Sequence, residues 1–130
     1  MLEYLIRMHS RLLVTILLVF IILTLWGLVN HLRRTPPSRT YMSVLIIGEL
    51  LMVTQFIIGV LLLFNGRQAY LLGLHILYGF VAVFAIPAVY LYVRDRSRDW
   101  DHLIYAITSA FICGIAIRAL ETGRIPTLEP

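Results

Sequence analysis

The sequence has no lysine at all, and its eleven basic residues are every one arginine. Acids are scarcer still, seven in 130 residues, leaving a net charge of +4. Charged residues make up 14% of the chain against 60% hydrophobic, with a mean hydropathy of +0.88. That balance excludes a soluble domain of this size and predicts an integral membrane protein forming one domain over residues 1–130. No arginine cluster is dense enough to hold a nucleic acid, so the pI near 9.6 is read as arginine-rich membrane loops. The lone cysteine, Cys113, sits in an apolar run and excludes an intramolecular disulfide. Repeats and low-complexity tracts are missing. The apolar runs do not alternate with polar residues, which excludes spanning β-strands.

What is present is a set of long apolar runs separated by short polar breaks. The run from Leu12 to Val29 has spanning length and no small-residue cleavage site behind it, so it reads as a retained helix, not a signal peptide. Thr35-Pro36-Pro37-Ser38 ends it, because consecutive prolines lack donors and restrict the residue before them. The spans are predicted at about 5–30, 41–64, 69–93 and 101–120, each close to the roughly 20 residues a bilayer core needs. Asn65-Gly66-Arg67-Gln68 turns the second into the third. Pro87 should kink the third span, and Asp99 or Asp101 is expected to cap the fourth. Short loops make neighbouring helices antiparallel. The predicted fold is therefore an all-α, up-down-up-down four-helix membrane bundle. Arg33, Arg34, Arg39, Arg94, Arg96 and Arg98 crowd the first and third loops, which places those loops inside the cell and both termini on the non-cytoplasmic side of a bacterial-type inner membrane.

That topology sets depths. His9 falls near the outer start of the first span and His75 about one turn below the outer start of the third. Gly59 and Arg118 fall in the same outer slab. Two histidines on different helices at matched depth are what bis-histidine ligation of heme b requires, because the axial nitrogens must approach iron from opposite faces of a flat ring. Gly59 is four residues after Gln55 and Gly79 four after His75, so each pair shares a helix face, and the glycines would leave room for the macrocycle. Arg11, Arg67 and Arg118 are candidates to grip its propionates. The plainer reading stands beside this: interfacial histidines are common, and glycines often mark close helix packing in membranes.

His31 and His102 form a second, inner pair, read as solvated at the headgroups and as a weaker place for a second heme. Met42 and Met52 read as packing residues. Glu49 is the costliest residue, a carboxylate about two turns into the second span. Four roles stay open for it: a quinone contact, a proton path, a contact with another subunit, or a neutral structural acid. Trp26, Trp100, Tyr41, Tyr70, Tyr92 and Tyr105 lie near span ends and read as interface anchors.

Gln55-Phe56-Ile57-Ile58-Gly59 followed by Leu74-His75 resembles the Q-x-x-x-G … L-H pattern of the heme A synthase family. His9-Ser10-Arg11 then falls on that family's histidine–arginine motif at the start of a helix. The resemblance spans most of this chain and corresponds to one four-helix half of the family's two-half architecture. It implies that His9 and His75 are axial ligands of one b-type heme. The chain departs from the pattern at Ile6, where the family carries glutamate, and it lacks the family's outer-loop cysteine pair. A homodimer would supply a second half.

The sequence thus predicts a heme b-binding membrane protein, more an electron-transfer subunit of a respiratory or photosynthetic complex than a free-standing enzyme. Its partners would be the lipid bilayer, other membrane subunits or a second copy, and a quinone. The alternatives are a cofactor-free accessory or assembly subunit, a heme A synthase-like enzyme acting as a dimer, and a small dimeric transporter.

Overall fold

The structure, a computed structural model, describes residues 1–95 and 100–124. All the regular structure among the described residues is helical, in four segments. They are α1 (Leu2–Leu32), α2 (Arg39–Phe64), α3 (Leu72–Val93) and α4 (Asp101–Gly123). Each is long and apolar enough to cross a bilayer. α1 packs on α2 and α4, and α3 packs on α4 and more loosely on α2. The helices therefore run up and down around a ring, with α1 diagonal to α3 and α2 diagonal to α4.

Local chemistry explains the ends. Ser38 follows the two prolines and caps α2, its hydroxyl accepting from the Tyr41 N–H at 3.1 Å. Gly66, at φ 79°, supplies the left-handed residue that the turn after α2 needs. α3 starts at Leu72, later than the predicted 69, because the chain before it is tied elsewhere: the Leu71 N–H donates to the Thr122 carbonyl at 2.9 Å. α4 runs on to Gly123, past the predicted 120. Within its last turn the Thr122 hydroxyl folds back onto the carbonyls of Arg118 (3.0 Å) and Ala119 (3.1 Å). α1 also outruns its prediction at both ends. Pro87 lies inside α3, as expected. Trp100 occupies the N-cap position of α4 without a side-chain cap bond, and Asp101 is the first helical residue, so it does not cap; Asp99 lies outside the described residues, as do Arg96 and Arg98.

The packed core is concentrated in the half of the bundle where α1 ends and α2 begins, the inner half, opposite the outer half that holds the start of α1 and the end of α2. Phe20, Leu23 and Tyr41 have no exposed surface, and Leu45, Tyr105 and Ile112 are nearly as buried. Gly48 lets α1 and α2 close up, for a Cβ there would lie 2.9 Å from the Phe20 ring. Gly27 does the same for α1 against α4, beneath the Tyr41 hydroxyl. Two of the predicted interface anchors are thereby corrected. Tyr41 and Tyr105 are core residues, and Tyr41 Oη donates to the Leu23 carbonyl at 3.3 Å while Trp26 packs edge-on against its ring at 5.4 Å. His102 is likewise not solvated; it is 3% exposed and packs edge-on against Tyr41. Tyr70, Tyr92 and Trp100 are exposed near helix ends as anchors should be.

The outer halves of the diagonal helices are different. No residue from Leu2 to Thr15 on α1, nor from Leu72 to Ala85 on α3, is buried. α2 and α4 do bury residues at that depth, Ile58, Leu62, Ile115, Ala116 and Thr122 among them. Large apolar side chains such as Val14, Leu18, Ile57, Leu77 and Ile117 point outward around the bundle, where acyl chains would cover them.

Candidate heme-ligand pair at the outer end of the bundle

His9 on α1 and His75 on α3 meet across the diagonal in this outer half. Their ring centres are 6.2 Å apart and their planes are inclined by 52°. Both side chains are half-buried. Neither ring hydrogen-bonds the other among the side-chain bonds of the described residues.

Each histidine is held by a glycine on a neighbouring helix. A Cβ on Gly59 of α2 would lie 3.3 Å from His9 Cε1. A Cβ on Gly123 of α4 would lie 3.1 Å from His75 Cε1 and 3.3 Å from its Nδ1. Both distances are tighter than ordinary carbon contacts of roughly 3.5–4.0 Å, so the glycines are recesses that the imidazoles fill. Gln55, one turn inward of Gly59, donates from Nε2 to the His9 carbonyl at 2.9 Å and pins α1 to α2 at this level.

His75 is also fixed in its tautomer. Its Nδ1 lies 2.9 Å from the Ala119 carbonyl. A carbonyl only accepts, so Nδ1 carries the proton and the Nε2 lone pair is left for a ligand. Such an outer-shell bond is what orients metal-binding histidines. The Thr122 hydroxyl stands 3.5 Å from the same nitrogen. His9 Nδ1 is buried without a partner, so that ring is held by shape and not by a bond of its own.

The expected residues do not all gather here. Gly59 and Gln55 do, but what they touch is His9. Gly79 shares a helix face with His75, but its neighbour is a residue of α2. A Cβ there would meet the Phe56 ring at 3.1 Å, and Phe56 continues into a file of rings with Phe80 and Phe84. In this structure Gly79 makes room for the Phe56 ring. Arg118 is exposed and ion-paired with Glu121 one turn along α4. Together with Tyr70, Leu71, Thr122 and Arg124 these two line a small open pocket beside His75. Arg11 and Arg67 are exposed. Thr122, Gly123 and the Ala119 carbonyl were not singled out in the sequence. Their only signal was position, at the end of the last long apolar stretch.

At the inner end, His31 packs on Trp100 with ring centres 5.6 Å apart, and His102 packs on Tyr41. No ring contact joins His31 to His102 among the described residues, and both ring nitrogens of His102 are buried without a hydrogen-bond partner. Glu49 is half-buried near mid-helix with Oε2 unpartnered.

Two histidines alone suit an unusual kind of ligand. Among the described residues no group of three or more His, Cys, Asp or Glu could hold a bare metal ion. An iron already ligated by a macrocycle needs only the two axial nitrogens. Two metal–nitrogen bonds of about 2 Å each, plus about 1.1 Å from each nitrogen to its ring centre, put axial imidazoles roughly 6 Å apart centre to centre. The observed 6.2 Å fits that requirement, as do the recesses at Gly59 and Gly123 and the protonation forced on His75. Compared with family models, curated proteins and solved structures, the chain matches none.

Proposed function

We propose that this protein binds one heme b between His9 and His75 and serves as a small electron-transfer subunit of a membrane complex. The observation that carries the reading is the diagonal histidine pair at 6.2 Å, set in the half of the bundle where α1 and α3 bury nothing of their own. The heme would supply one-electron chemistry. The chain's own residues do the rest. His9 and His75 would hold the heme, Ala119 and Thr122 orient His75, Gln55 holds α1 in register, and Arg118 with Arg124 would offer cations at the water-facing rim. Iron ligated twice by protein has no open coordination position for a substrate, which favours electron transfer over turnover. Ile6 in place of the glutamate of heme A synthase also argues against synthase chemistry. On the arginine bias, the heme would face the non-cytoplasmic side of a bacterial-type inner membrane.

A second reading, a cofactor-free accessory subunit, draws on a different observation. An open apolar groove runs between α3 and α4, lined by Phe80, Phe84, Ile107 and Phe111. A helix of a larger partner, a second copy or a quinone tail would suit its chemistry.

The deciding experiment is a dithionite-reduced minus oxidised visible spectrum of the purified protein, with a pyridine hemochrome assay for stoichiometry. A sharp b-type α-band at about one heme per chain is expected. His75→Ala and His9→Ala should abolish it and His31→Ala should keep it. A protein that stays colourless after heme is added overturns the reading. So does a His75→Ala variant with the wild-type spectrum.

A further inference from the structure

Glu49 is left over once the histidine pair is described. Its place is in the middle of α2, about 15 Å along the helix from its inner end. Its Oε2 is buried and has no hydrogen-bond partner. The flank of α2 on which it sits follows from Phe56, about two turns outward on the same face. Phe56 packs on α3, meeting Gly79 and the Phe80 ring at 5.9 Å between centres. The adjoining flank, one residue round, faces α1, where Gly48 meets Phe20 and Gln55 meets His9. Glu49 therefore belongs to the α2–α3 seam.

The antiparallel register then names its neighbour. Two turns inward from Phe56 is Glu49, and two turns inward from Phe80 is Pro87. Pro87 lies inside α3 and has no N–H. The carbonyl four residues earlier, on Val83, is thus without the helical donor that every neighbouring carbonyl has. Val83 is half-buried and packed against the core. In a bilayer interior a carbonyl without a donor and a carboxyl without a partner are both costly, and each is what the other lacks.

We infer that Glu49 carries its proton and donates it in a hydrogen bond to the Val83 carbonyl, tying α2 to α3 at the proline break. The tie lies where the bundle is most loosely packed, since α3 makes its lesser contact with α2. It makes Glu49 a helix-to-helix latch, in place of a quinone contact or a contact for another subunit, and it does not depend on heme binding.

The test has a direct arm and a coupling arm, both on the full chain in lipid nanodiscs. The infrared spectrum should show the carbonyl stretch of a protonated carboxylic acid, shifted in D2O and missing in Glu49→Gln. Unfolding should then be compared for Glu49→Leu in the wild-type and Pro87→Ala backgrounds. With Pro87 present the unfolding equilibrium should shift roughly 3- to 20-fold, the span measured for interhelical hydrogen bonds in membranes. With Pro87→Ala, which gives Val83 a main-chain donor, the same change should shift it little. Glu49→Gln, whose amide still donates, should stay close to wild type. A spectrum without the acid band overturns the inference, and so does an equal effect of Glu49→Leu in both backgrounds. The heme spectrum of Glu49→Leu should be unchanged, so failure here is distinguishable from failure of the heme reading.

Discussion

Replacing Gly123 with alanine tests the histidine site without touching a ligand. The added Cβ would stand 3.1 Å from His75 Cε1 and 3.3 Å from Nδ1. To reach ordinary contact at roughly 3.5–4.0 Å the ring must recede by about half an ångström. The edge being pushed is the one that bonds the Ala119 carbonyl at 2.9 Å. A shift of that size carries the bond to or past its normal limit of about 3.2 Å. The Nε2 direction turns with the ring. Disturbing an outer-shell partner of a metal-bound histidine typically costs 10- to 100-fold in affinity. For the smallest side chain the expected loss is about tenfold, or ~1.4 kcal/mol. Gly114→Ala is the matched control on the same helix, because a Cβ there meets nothing within 4 Å. It should bind heme as wild type does and gain up to about 1 kcal/mol of helix stability. The assay is titration of apoprotein in detergent micelles with hemin, followed in the Soret band, with the redox midpoint measured on the filled protein. Equal heme affinity and equal midpoint in the two variants would refute the argument that the Gly123 recess positions His75.

Two further outcomes follow from contacts elsewhere. Gly27→Val should destabilise the bundle by about 1–3 kcal/mol, the usual cost of overpacking. The new Cβ would lie 2.9 Å from Tyr41 Oη and 3.2 Å from the His102 main-chain carbonyl, and a main chain cannot swing aside; unchanged unfolding in mixed micelles would show that the α1–α4 crossing has slack. Gln55→Leu removes the donor to the His9 carbonyl. It should cost about 0.6 kcal/mol, the mean for a membrane interhelical bond, and loosen heme binding slightly, with a heme titration and an unfolding curve as the checks.

Some readings needed no tertiary information. The spans were legible because crossing a bilayer depends on a local sum of hydropathy, and the loops were legible because prolines and Asn-Gly act on their own backbone. Pairing His9 with His75 needed only topology and a rise per residue, since distance from a span end fixes depth. Rotation about the helix axis was not legible. Gly79 shares a face with His75, yet it serves Phe56, because a glycine's partner is decided by which neighbour presses on it. Tyr41, Tyr105 and His102 illustrate the same limit. Their positions near span ends suggested the interface, but α1 comes close to α4 at Gly27 and covers them.

By itself, then, the sequence determined that the chain is a bundle of four apolar helices, and that its histidines lie in outer and inner pairs. Tertiary structure decided that only the outer pair meets. It did so by spending the bundle's large side chains on the inner half, around Phe20, Leu23 and Tyr41, and leaving α1 and α3 unburied around His9 and His75. It also brought in Thr122, Gly123 and the Ala119 carbonyl from the far end of the chain. Those groups act through distance and direction across helices, which depend on packing and are not a property of any one segment.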